Sequence, residues 1–261
     1  MYKIIIGLMV VLSCLCIPPA LAKNTNSGAI AQTTGQSAAD NRDNAHPMGA
    51  EEAVPPKTMQ WYLRAARELH EGQAVSAEKH ALRAMHLDPK FADAGALAAT
   101  AALQQQQYER AHQEAADAVR IDPAEEKAWV ILATADNHLG EYVDAATALG
   151  NVQQQDQATW QVAYQWARAE AGQDHAQSAL EWSNRAALTA PQTFAPLHLL
   201  RASALLAVNQ YALAADELET YLQLMGANAP ERALLEQELL RVRALVKSAS
   251  TDGTQYNALA N

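Results

Sequence analysis

Residues 108–123, YERAHQEAADAVRIDP, set Ala111, Ala115 and Ala118 at intervals of four and three and then meet Pro123. That spacing lines one side of an α-helix with methyl groups, and proline stops it, because it cannot donate the next hydrogen bond and biases the preceding residue away from helical angles. The same arrangement stands 34 residues earlier as Ala77, Ala84 and Pro89, and 68 residues later as Ala179, Ala186 and Pro191. Ala145 keeps the register between them, where Val152 and Gln157 replace the second alanine and the proline. A period of 34 exceeds any single helix or strand and marks a repeated supersecondary unit.

Upstream of each such helix lies another. In 92–125 it carries Ala94, Leu97, Ala98 and Ala101 at helical spacing. Gly72 and Gly140 mark the turn between the two helices in the first and third units, and Gln106 holds that place in the second. Alanine where helices cross lets backbones approach near the lower end of the 8–10 Å packing range. Ala77, Ala84, Ala111, Ala118, Ala145, Ala179 and Ala186 are therefore assigned to repeat packing.

These residues resemble the tetratricopeptide repeat. Trp129, Leu132, Ala133, Gly140, Tyr142, Ala145 and Leu149 of the third unit fall in its register, as do Trp61, Ala65, Gly72, Ala77, Ala84 and Pro89 of the first. The resemblance covers about 58–226 and implies an all-α fold, a right-handed α-solenoid of about five helix-turn-helix units: 58–91, 92–125, 126–159, 160–193 and 194–227. The last is the most degenerate: Tyr211, Ala214, Leu218 and Tyr221 follow one inserted residue, and Gly226 stands in place of proline. Residues 228–247, apolar at Leu234, Leu235, Leu239, Val242 and Val246 and charged on the other side, suit a capping helix. A disordered tail is expected over 248–261.

Residues 1–22 read as a signal peptide, with Lys3, an apolar run from Ile4 to Cys16, and Ala20-Leu21-Ala22 as the cleavage site. The expected location is periplasmic or secreted; the alternatives are a retained anchor facing the periplasm and a lipid on Cys14. Membrane contact is expected only if this segment is retained. Residues 23–57, rich in Asn, Thr, Ser, Gln, Gly and Pro, read as a flexible linker.

Both cysteines lie inside the signal, which leaves the mature chain no disulfide, thiolate metal site or cysteine nucleophile. The formal charge of −10 argues against nucleic acid as a partner. Eight histidines are scattered without an HExxH pair, and neither a phosphate loop nor a GxSxG elbow is present. No catalytic residue, cofactor or metal is expected.

What remains is binding. The resemblance implies that first helices line a concave groove, where Lys127, Val130, Thr134 and Asn137 of the third unit meet Trp160, Tyr164 and Arg168 of the fourth. The last three are spaced by four along one helix, and Trp, Tyr and Arg are the types that dominate binding hot spots. The structural alternative packs Trp160 and Trp166 against the neighbouring units. The expected function is non-catalytic binding of a protein or peptide partner in the bacterial cell envelope. Self-association into a structural component is the alternative, and a glycan-acting enzyme is a more distant one.

Overall fold

A computed structural model describes residues 54–152, 159–227 and 229–259, with side chains through Ser248. The signal peptide, nearly all of the linker and Gln157 lie outside the described residues. Among the described residues eleven helices follow one another: α1 (Pro56–His70), α2 (Ala74–Leu87), α3 (Ala92–Gln104), α4 (Tyr108–Ile121), α5 (Glu126–Leu139), α6 (Tyr142–Leu149), α7 (Trp160–Gly172), α8 (Ala176–Ala187), α9 (Ala195–Ala207), α10 (Tyr211–Leu224) and α11 (Arg232–Leu259). Among the described residues there is no strand. The helices pair as α1/α2 through α9/α10, five hairpins stacked in sequence with α11 against α10. The first helices, α1, α3, α5, α7 and α9, also touch one another in order, which gathers them on one side of an α-solenoid.

Each hairpin closes in the same way. Gln73, Gln107, Glu141, His175 and Gln210 donate their backbone N–H to the carbonyl five residues back, at 2.8–3.0 Å. This closure needs a left-handed residue just before the donor. Gly72 and Gly140 supply it at φ 78° and 83°, while Gln106, Asp174 and Asn209 are held at φ 60–62°. The other ends stop at Asp88-Pro89 and Asp122-Pro123, where each aspartate side chain accepts the N–H two residues on.

Ala77, Ala84, Ala111, Ala118, Ala145, Ala179 and Ala186 are all completely buried. Around units one and two the apolar core is divided into small clusters built on alanine. From Ala163 to Val242 it is one continuous cluster rich in leucine. The array's outer face on α1 is polar: Gln60 and Arg67 are exposed where Ala94 and Ala101, one period on, are fully buried. This is how a terminal repeat stays soluble.

Two features depart from the sequence reading. α6 has only 8 residues, against 12–14 in the other second helices, and turns off at Gly150 and Asn151 while Val152 stays buried in the alanine's place. The closing helix does not end near Val246 but runs on to Leu259, through the segment read as a tail. No helix among the described residues is long and apolar enough to cross a membrane.

Candidate partner-binding groove

Two rows of side chains repeat every 34 residues along the first helices. One is Met59, Asp93, Lys127 and Gln161; the other is Tyr62, Ala96, Val130, Tyr164 and His198. The first row is open, with Lys127 exposed and the other three half-buried. The second closes in the middle, where Ala96, Val130 and Tyr164 keep 5%, 9% and 6% of their surface, while Tyr62 and His198 stay half-buried at either end.

Of the seven residues assigned to the groove from sequence, only Lys127 stands clear of its neighbours. Thr134 is buried, and its hydroxyl donates to the Val130 carbonyl of its own helix at 2.7 Å. Asn137 is buried between α5 and α7, and its Nδ2 donates to both the backbone oxygen and Oε1 of Gln165 at 3.0 Å. Trp160 and Tyr164 pack on Phe194 of the fifth unit, with ring centroids 4.9 and 5.1 Å away. Arg168, half-buried, donates to the Asn137 carbonyl and to His138 Nε2, both at 3.2 Å, and so caps the C-terminal end of α5. Because a guanidinium can only donate, His138 Nε2 is an acceptor and the ring is neutral. Burial, and then the Arg168 charge, push the His138 pKa down to about 2. Trp166 turns away from the groove and stacks on Trp182 of its own unit, centroids 5.2 Å apart. Trp160 and Tyr164 thus fasten unit four to unit five, and Arg168 fastens it to unit three.

The open part of the wall lies further toward the N-terminus. Tyr62 rests edge-on against Phe91, and burial together with the nearby charges of Asp93 and Glu125 pushes its hydroxyl pKa up to about 12. Burial, the Asp93 charge and a hydrogen bond with Asp93 push Glu125 up to about 7, with Lys127 pulling the other way. Glu125 therefore keeps its proton to a higher pH than an ordinary carboxyl, and the two carboxyl groups hydrogen-bond each other. Tyr62, Asp93, Glu125 and Lys127 come from units one, two and three and form one amphiphilic patch. The sequence carries a signal for this patch, since Asp93 stands one period before Lys127.

No protein-family model matches the chain, and no curated relative does. Solved structures do. The chain is similar to MamA (residues 41 to the end) from Desulfovibrio magneticus RS-1, at 16% identity and a TM-score of 0.56 over 66% of this chain and 97% of that one. It is similar to YrrB, described as a TPR protein with an unusual peptide-binding site, at 15% identity and a TM-score of 0.54 over 69% and 92%. It is similar also to pilF of Pseudomonas aeruginosa, at 20% identity and a TM-score of 0.59 over 78% and 91%. At such identities the likeness concerns the fold, and with five matching hairpins and their common closure it makes this chain an α-solenoid of tetratricopeptide type.

Proposed function

We propose that the chain is a non-catalytic scaffold of the bacterial cell envelope that holds an extended segment of a partner protein along its first-helix face. The observation that carries this reading is the patch of Tyr62, Asp93, Glu125 and Lys127, which three separate units hold in one place. A stacked array presents such a patch with little motion to lose, so less of the binding energy is spent on ordering it. An aromatic ring beside two carboxyl groups suits a segment with a basic residue, and the acidic chain as a whole favours the approach of such a partner. Export rests on the signal-like N-terminus. Peptide binding by YrrB supports the general mode.

Affinity capture from an envelope extract tests it, with wild type and a Tyr62→Ala, Asp93→Ala double variant as baits. The expected result is a protein retained by the first and lost by the second. Equal recovery of every protein by both baits would remove the patch from the account. Self-association is the second reading, favoured by Leu240 and Leu234, which are 66% and 42% exposed on α11. Light scattering of the mature chain decides it, because a monomer at all concentrations leaves that face without a role.

A further inference from the structure

We propose that His112, Asp136 and Glu141 form a binding site for a divalent first-row transition ion at the joint between units two and three. One ligand atom from each lies within 4.8 Å of the others. They come from three elements: His112 from α4, Asp136 from the end of α5, and Glu141 from the turn that follows Gly140. Asp136 is 1% exposed. His112 Nδ1 lies 2.6 Å from its Oδ1.

Other buried histidine–carboxylate pairs of the array are built differently. Glu68 meets His80 and also Arg64, and Glu217 meets His198 and also Arg201. Asp136 has no arginine or lysine partner among the described residues, and its further neighbours are the carboxylates of Glu141 and Asp144. A buried carboxylate surrounded by like charge is costly unless a cation joins it. One imidazole among carboxylates suits zinc and its neighbours in the transition series better than calcium or magnesium, which prefer oxygen alone.

Tetrahedral coordination at about 2.0–2.2 Å places donors about 3.3 Å apart. The exposed Glu141 side chain can rotate inward to reach this, while His112 Nδ1 and Asp136 Oδ1, now 2.6 Å apart, must open by about 0.7 Å to admit the ion. The ion takes the place of the Nδ1 proton between His112 and Asp136. The neutral ring keeps its one N–H by carrying it on Nε2, so no proton is lost, and water completes the coordination. Such an ion would tie α4 to the α5–α6 turn just ahead of the shortened α6. No sequence motif announces the site, because the donors are 24 and 5 residues apart and meet only when two units stack.

The test is titration of the chelator-stripped full chain with Zn2+ alone at neutral pH, followed by calorimetry in two buffers of different ionisation heat. The expected result is one ion per chain, with the same binding heat in both buffers because no proton is lost. His112→Ala should abolish binding and Glu141→Gln should weaken it about tenfold or more, whereas His70→Ala leaves it intact. Glu141 is exposed, so its variant keeps the fold, which circular dichroism verifies. Absence of binding by the wild type, or equal binding by the His112 and Glu141 variants, overturns the proposal.

Discussion

The joints on either side of unit three are made from different materials. Between units two and three, full-length α4 meets α5 along a row of fully buried methyl groups, Ala111, Ala115 and Ala118, with the His112–Asp136 bond and the Tyr108–His138 stack beside them. Between units three and four, α6 stops after 8 residues, and side chains with one specific geometry take over. Asn137 bonds Gln165, Arg168 caps α5, and Gln173 reaches the Tyr142 carbonyl. The Tyr142 ring lies so close over Gly172 that a Cβ there would come within 2.3 Å of it. Small residues make a joint that any similar unit can repeat. Where the second helix is cut short, the joint holds only through partners chosen for one another, and this is why the polar and aromatic residues of units three and four are spent on packing.

The largest effects should expose this contrast directly. Leu149, the last residue of α6, is fully buried, and Leu149→Ala removes apolar volume where the helix already lacks its final turns. A loss of about 2–5 kcal/mol is expected, read from urea unfolding. Ala111→Leu tests the other joint with the opposite change, inserting bulk at a crossing. About 1–3 kcal/mol should be lost there, and an unchanged thermal melt would contradict the assignment of that position to close packing.

Acidity should also separate two regions. His138, beside Arg168, is held neutral with a pKa of about 2 against an ordinary 6.5. The unfolded chain gains that proton as pH falls below about 6.5 while the folded chain does not, so the stability of α5–α7 is full above that value and declines below it. The loss approaches about 2 kcal/mol by pH 5. Glu114, between units one and two, goes the other way, its pKa raised from 4.5 to about 7 by burial and then by the Glu78 charge. Its folded form favours the proton, so that region is most stable below pH 4.5 and weakens as pH rises through 7. Glu114 is partly exposed, and solvent screening reduces the expected change to about 1 kcal/mol. Hydrogen exchange, corrected for intrinsic rates, should show α2–α4 opening more readily at pH 8 and α5–α7 at pH 5. The same direction in both regions would sink the contrast.

The period, the alanine positions and the hairpin order were legible because each rests on local spacing. Val130, Thr134 and Asn137 were not legible as buried residues. Whether a first-helix position faces solvent depends on how tightly the next unit closes over it, and that depends on Gln165 and Arg168 one period away. Nor did the sequence mark where α11 ends, since nothing between Val246 and Leu259 breaks a helix as proline would. The open patch was half legible: Tyr62 and Lys127 stand in groove register, but the hydrogen bond between Asp93 and Glu125 joins the two ends of unit two and appears only once that unit is folded.

The smallest effect concerns the turns that every unit shares whatever its joint is made of. Gly72 and Gly140 sit in the left-handed region at little cost, whereas Gln106, at φ 60°, carries a Cβ against the following carbonyl. Relieving that contact favours the folded chain by roughly 1 kcal/mol, and the greater freedom of glycine in the unfolded chain offsets part of it. Gln106→Gly should therefore stabilise the array by a few tenths of a kcal/mol, the reverse of what glycine does inside a helix. Its urea midpoint should rise slightly, while Gly140→Gln, the mirror exchange beside the shortened helix, should lower it. If both exchanges lowered the midpoint, the turn would owe its shape to the Gln106 side chain rather than to the backbone closure common to all five units.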